Sequence, residues 1–260
     1  MNNPLRIYRE GAAIAALTMI DTALLAQEAY NLGLNLTEEQ LNDFDRFAEL
    51  LDYWNKQINL TAIKDPTEMV YKHFADSLTV LAAVNMPPGA SFVDVGTGGG
   101  FPGLPLLIAR RDLHGVLLDS TQKKLLFVDR VLTGLNLTQQ GRTLHMRAED
   151  AGRTLNLRNR FDFSVSRAVA NLRELSEYCL PLTKVGGTFV ALKGSKAKEE
   201  MAEAKQAIKL LGGEVADVQR FFLGEMGERN VIIIQKTSPT PPKYPRSSAK
   251  IAKEPLTTAK

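Results

Sequence analysis

Only one of the 260 residues is a cysteine, Cys179. That excludes an intrachain disulfide and a zinc site built on several thiolates, and it fits a reducing, cytoplasmic setting. Histidine is almost as scarce. His73, His114 and His145 stand far apart with no ligand-like spacing, so no metal is expected. No apolar run reaches the ~18 residues that a membrane span requires. Arg6 and Arg9 precede the apolar stretch Ala12 to Ile20 in the layout of a secretory signal. Asp21 follows at once and the apolar pattern runs on to Leu34, so an amphipathic helix is preferred. A strong net charge is also missing. The formal balance is only +3, yet residues 236–260 hold Lys236, Lys243, Arg246, Lys250, Lys253 and Lys260 against the single acid Glu254. Such a tail suits a polyanionic partner or a solvated terminus.

What the chain has in quantity is apolar residues, 44% of the total, enough for one large core or a core with a smaller neighbour. Thr37 and Gln40 stand at capping-box spacing ahead of Leu41, Phe44, Phe47, Leu51 and Trp54, which predicts a helix over TEEQLNDFDRFAELLDYWNKQ. Asp65, Pro66 and Glu68 open another helix, running to about Val84 and stopped by Pro87, Pro88 and Gly89. Residues 1–88 therefore read as a helical N-terminal region. From Ser91 short apolar or β-branched runs, SFVDV, GVLLD, RTLHMR, FDFSVS and TFVALK, alternate with helical stretches. Alternation of this kind means right-handed crossovers and a parallel sheet. EVADVQRFFL and RNVIIIQK, parted by a short loop holding Gly224 and Gly227, must pair as an antiparallel hairpin. The expected fold is α/β. A seven-strand, mostly parallel sheet occupies residues 89–236, with helices on both faces and the C-terminal antiparallel hairpin at one edge. The Pro-rich TSPTPPKYPRSS then opens a basic, extended tail over 237–260.

The stretch VDVGTGGGFPGLPL places glycine at 96, 98, 99, 100 and 103, in the turn from the first strand to the following helix. Ligands of open α/β sheets bind beyond such strand ends, and a backbone without Cβ lets another group lie directly on it. Gly98, Gly100 and Gly103 satisfy the spacing of a dinucleotide site, so an NAD-dependent oxidoreductase is one reading. Asp94 argues against it. At the strand end its carboxylate would repel a pyrophosphate and welcome an ammonium group, unless it merely caps the turn. The terminal hairpin, in place of a sixth parallel strand, argues the same way. S-adenosylmethionine fits both observations better. Asp119 ends the second strand, where it can accept both ribose hydroxyls of an adenosine or else cap the next helix, a duty open also to Ser120 and Thr121. After the third strand Arg147, Ala148, Glu149 and Asp150 are placed by position to hold the adenine edge.

Taken in order, YWNKQINLTAIKDPTEMVYKHFADSL, FVDVGTGGGFPGLPL, LLDSTQKK, RAED, FDFSVSRAVANL, FVALKG, KYPR and KEPL resemble the bacterial RsmG family, also called glucose-inhibited division protein B, over about residues 50–250. The resemblance implies a Rossmann-like, S-adenosylmethionine-dependent methyltransferase fold with an N-terminal helical extension. It implies methyl transfer to the seventh ring nitrogen of a guanine in small-subunit (16S) ribosomal RNA. Carried over residue by residue, it assigns cofactor binding to Gly96, Phe101, Asp119, Ser120, Ala148, Glu149 and Arg167, to which the glycine spacing adds Gly98. The implied partner is small-subunit ribosomal RNA or a ribosomal particle, bound by a monomer. Residues 1–36 are longer than expected of the family and have no assigned role. Beside the oxidoreductase, a non-catalytic RNA-binding assembly factor stands as an alternative.

That chemistry needs no general base, because the seventh nitrogen carries no proton. The Asn/Asp-Pro-Pro-aromatic motif of amine-directed methyltransferases is absent, with SRAVANL in its place. Cys179 falls inside the helical NLRELSEYCLPL and reads as a small buried hydrophobe rather than a nucleophile. Rate then comes from placement in a dry, preorganised site. The candidates are Arg167, to hold the cofactor carboxylate, the guanine carbonyl oxygen or a phosphate, and Lys193, to meet a phosphate or the base carbonyl, although a strand-end lysine is equally at home in solvent. The target base must be unpaired or turned outward. Phe101, Trp54 and Tyr53 are available for stacking, with Trp54 reading better as core. His73 and Asp76 lie three apart on one helical face and read as a hydrogen-bonded pair. Lys196 and Lys198 would add salt-sensitive attraction for RNA.

Overall fold

The computed structural model describes residues 18–167 and 169–256. Arg6, Arg9, the stretch from Ala12 to Leu17, and Lys260 lie outside the described residues. Helix α1 (Thr22–Asn31) starts where the Asp21 side chain accepts the Leu24 N–H, and it buries Leu25 and Ala29. Part of the extension therefore packs on the body. Helix α2 (Glu38–Asn55) carries the full capping box between Thr37 and Gln40 and sinks Phe44, Phe47 and Leu51 completely.

The stretch expected as one helix to Val84 is three segments: α3 (Pro66–Met69), a π-helical turn over Val70–Ala75, and α4 (Asp76–Ala83). Asp65 caps its start as expected, accepting the Glu68 N–H at 2.9 Å. The widened turn leaves no mark on the apolar pattern, because all its neighbours are helical too. Wide turns of this type concentrate at functional sites, and this one carries His73.

The sheet has seven strands in the order β3-β2-β1-β4-β5-β7-β6. These are β1 (Ser91–Val95), β2 (His114–Asp119), β3 (Gly141–His145), β4 (Phe161–Arg167), β5 (Thr183–Lys193), β6 (Gly213–Leu223) and β7 (Gly227–Lys236). The first five run parallel, β7 lies antiparallel to β5, and β6 pairs antiparallel with β7 at the edge. Crossovers are α5 (Gly103–Ala109), α6 (Gln122–Gly134), α7 (Ala148–Ala151), α8 (Leu172–Cys179) and α9 (Ala197–Leu210). Alternate strand residues feed two cores, as expected of parallel strands covered on both faces. Phe92, Leu117 and Val165 join the core that contains α2 and α4 to α6, while Val93, Leu118 and Phe189 join the one under α8 and α9.

The C-terminal segment is not the free extended tail that its composition suggests. Arg158 donates to the carbonyls of Gly152, Thr240 and Tyr244 at 2.7 to 2.8 Å. Arg246 makes a two-pronged ion pair with Glu177, at 2.9 and 2.7 Å, and Tyr244 and Ile251 of the same segment are buried. A last helix, α10 (Ser248–Lys253), follows. Lys236, counted by charge with the tail, is the fully buried end of β7 and donates to the carbonyls of Leu180 and Leu211 and to the Thr240 hydroxyl. A proline-rich string is held here by specific arginine donors, which composition does not show.

Candidate functional site

The ends of β1 to β4 frame a crevice of about 490 Å3. Its floor is the glycine turn. Gly96 has φ of 75°, and a Cβ there would sit 2.5 Å from Cγ2 of Val169, so a bare residue is required for the loop after β4 to close on the turn. Gly98 directs its N–H to Asp119 Oδ2 at 2.9 Å, while Asp119 Oδ1 accepts the Thr121 N–H at 2.8 Å. Asp119 thereby fills the bracing role at the start of the next helix. Two of the carboxylate's roughly four acceptor sites brace the loops, and the others remain for a ligand at the crevice wall.

Asp94 is corrected. It is fully buried and does not line the crevice; its Oδ2 accepts the Thr97 hydroxyl at 2.6 Å and the Gly103 N–H at 2.8 Å. It caps the turn rather than facing an ammonium group. Its Oδ1 has no hydrogen-bond partner among the described residues, and burial raises its pKa to about 7. The bare Gly103 makes this possible, since a Cβ there would stand 2.8 Å from Asp94 Oδ2 and 2.9 Å from Leu117 Cδ2.

Ser120, Ala148 and Glu149 line the crevice as expected, and Arg147 joins them, whereas the exposed Asp150 does not. Met146, Tyr178 and Ser248 also line it, and sequence reading had missed all three. Tyr178 lies on α8 next to Glu177 and Ser248 opens α10, so no local motif announces either.

Phe101 lines the crevice but has no free face for a base. Phe47 stacks on it at 5.1 Å, His73 at 4.4 Å, and the Arg167 guanidinium lies 4.7 Å from its centroid. Trp54 packs beside Phe127 at the edge of the core, and Tyr53 is exposed away from the crevice.

His73 and Asp76 are brought together through Arg167 rather than bonded to each other. Arg167 NH1 donates to the Lys72 carbonyl at 2.8 Å and to Asp76 Oδ2 at 3.1 Å, and its NH2 reaches His73 Nδ1 at 3.3 Å. A guanidinium only donates, so Nδ1 must accept and Nε2–H must face the Thr61 hydroxyl, 2.8 Å away. Burial, reinforced by the Arg167 charge, lowers the His73 pKa to about 3, so the ring is neutral. Asp76 also holds Arg229, whose Nε donates to Oδ1 at 2.9 Å.

Beyond Arg167 and Val169 lies a second concavity of about 340 Å3, which shares those two residues with the crevice and is lined also by Lys193, Glu200 and Arg229. Lys193 is neither solvated nor free. Its Nζ donates to the Ala170 carbonyl at 2.6 Å and pairs with Glu200 Oε2 at 2.8 Å.

A sequence model of the family described as rRNA small subunit methyltransferase G matches residues 40–232. The ribosomal RNA small subunit methyltransferase G of Clostridium beijerinckii is 42% identical over 234 residues, covering 90% of this chain and 98% of that protein. Its counterpart from Exiguobacterium sp. is 45% identical over 226 residues, covering 86% and 94%. A solved structure of geranyl diphosphate methyltransferase in complex with SAM aligns with a TM-score of 0.50 at 14% identity, over 63% of this chain and 85% of that one, a likeness of fold.

Proposed function

This chain belongs to the rRNA small subunit methyltransferase G family, and we propose that it methylates the seventh ring nitrogen of a guanine in small-subunit ribosomal RNA, with S-adenosylmethionine seated in the glycine-floored crevice. The observation that carries this reading is the joint between the two strand tips. Asp119 fastens the glycine turn through Gly98 N–H and still keeps acceptor capacity at the crevice wall, which is what a ribose diol needs. Ala148 and Glu149 would hold the adenine edge, with Met146 and Tyr178 as its apolar surroundings. Gly96 and the edge of Phe101 would lie against the sulfonium end. Bound there, the cofactor supplies an electrophilic methyl group. The chain's own contribution is placement. Arg167 is locked by three partners, and His73 has both ring nitrogens engaged and its pKa lowered to about 3, so neither is poised to accept a proton from the base; a guanine lone pair needs no such help. Two glycines of the dinucleotide-like spacing serve the protein itself: a Cβ at Gly100 would strike Leu104 and one at Gly103 would strike Asp94. That removes the motif's force as an NAD signal.

The exposed Lys196, Lys198, Lys250 and Lys253 supply sequence-independent attraction to phosphates. No helix among the described residues is long and apolar enough to cross a membrane. We assign the enzyme to the cytoplasm as a monomer, with residues 89–236 as the methyltransferase domain, the described residues 18–88 as its helical buttress and the described residues 237–256 as a strap. The test incubates purified protein and labelled methyl donor with small-subunit particles from cells lacking the chain, then maps the label. One guanine methylated at its seventh nitrogen is expected. No label, or label on an exocyclic amine, would overturn the reading.

A further inference from the structure

The second concavity holds an acceptor and a donor whose capacity is only partly used. The Lys193 ammonium has three protons, of which two go to the Ala170 carbonyl and Glu200 Oε2. Glu200 Oε2 also accepts the Leu172 N–H at 2.8 Å, whereas Oε1 accepts nothing from the described residues. Both side chains line the same hollow, 6% and 25% exposed, so a donor and an acceptor with unused capacity border one partly dry surface. Asp76 serves two guanidiniums, Arg167 and Arg229, so the same wall keeps a surplus positive charge suited to a nucleotide's phosphate.

Adjacent donor and acceptor groups have a definite complement among the bases. Guanine alone shows, along its Watson–Crick edge, a carbonyl acceptor followed by a ring N–H and an amine. Adenine shows an amine followed by a bare ring nitrogen, which would set donor against donor at Lys193 and lone pair against carboxylate at Glu200. Resting on the guanine reading above, we infer that Glu200 is a specificity-determining residue: its Oε1 accepts from the ring N–H and amine of the target guanine while Lys193 donates its remaining proton to the carbonyl oxygen. Gripped by that edge, the base turns its five-membered ring toward Arg167 and Val169, the residues shared with the cofactor crevice. The seventh nitrogen is left uncovered on that side.

Inosine differs from guanosine only by lacking the amine, so it reads the contact directly. Once the wild-type enzyme has labelled its guanine, particles reconstituted with inosine at that position are compared with guanine particles. For the wild type, kcat/KM should fall about tenfold on inosine, the discrimination typical of a lost base-edge contact. Glu200→Gln cannot serve both sides: with its carbonyl on the Leu172 N–H, its amide donor faces the guanine donors. The variant should be slower on guanine, with the guanine-to-inosine ratio close to one and cofactor affinity by calorimetry unchanged. Wild-type enzyme that treats the two bases alike, or a variant that retains the wild-type ratio, overturns the inference and leaves guanine methylation standing. If the variant does not fold, the wild-type comparison decides by itself. Wild-type enzyme that labels no guanine takes down the functional reading and this inference with it.

Discussion

Crossing the wall of Arg167 and Val169, from the glycine-floored crevice into the neighbouring hollow, exchanges main chain for ion pairs. The crevice is floored by a glycine turn and braced by two carboxylates, the buried Asp94 beneath the turn and Asp119 at the wall, whose partners are mostly backbone N–H groups. The hollow is walled by Arg167, Lys193, Glu200 and Arg229, each tied to a partner of opposite charge, with Asp76 between the two arginines. A cofactor of fixed shape can be met by a rigid backbone cradle. A flexible polyanion is better met by charged side chains that are already held in place, since each one pinned in advance saves ordering entropy on binding.

If that contrast is right, the largest disturbance should come from the charged side. Replacing Asp76 with alanine strands two arginines whose side chains are 13% and 27% exposed. Unfolding free energy should drop by ~3–5 kcal/mol, measured by urea titration. A loss below ~1 kcal/mol would show that the triad does not hold the two walls together.

Asp94 probes the backbone side through pH. Its folded pKa, about 7, lies above the ordinary aspartate value of 3.8. Between those values the native state holds a proton that the unfolded chain releases, so the contribution is full below about pH 4 and lost as pH rises through about 7. Asp94→Asn cannot titrate. From pH 4 to pH 7 the wild type should lose stability relative to this variant by at most ~1.4 kcal/mol for each pH unit, read from paired melts. Parallel curves would mean that Asp94 is ionised in the fold.

The smallest effect is expected at Asp119. Asp119→Ala should weaken S-adenosylmethionine binding by ~1.5–3 kcal/mol, the scale of hydrogen bonds to a charged group, with KM for the ribosomal particle unchanged. An equal loss on both sides would erase the division between the two hollows.

The same division explains what the sequence makes legible. Strand alternation, the hairpin and the glycine turn are local patterns, and they predict the seven-strand sheet and most of the crevice. Gly96, Gly98, Asp119, Ser120, Ala148 and Glu149 occupy three short turns of adjacent strands, so position along the chain stands for position in space. Arg229 meets Asp76 across 153 residues, and Arg167 meets it across 91. Nothing in the neighbourhood of any one of them names the others. Asp94 as an ammonium partner, and Phe101 as a stacking face for the base, are misread for a different reason. Their placement in the turn was right, but burial gave their polar atoms and ring faces to the protein itself. The π-helical turn escaped notice because one extra residue per turn barely alters an apolar pattern, although it is this segment that delivers His73 to Arg167.

The clasp between Arg246 and Glu177 bears on how the chain can be handled. Glu177 sits beside Tyr178, a wall of the crevice, and Ser248, another wall, follows Arg246 by only two positions. A protein cut after β7 would leave a buried carboxylate without its counterion and open one side of the crevice. Residues 237–256 are therefore poor ground for trimming, and an affinity handle that pulls on them would be felt at the crevice wall.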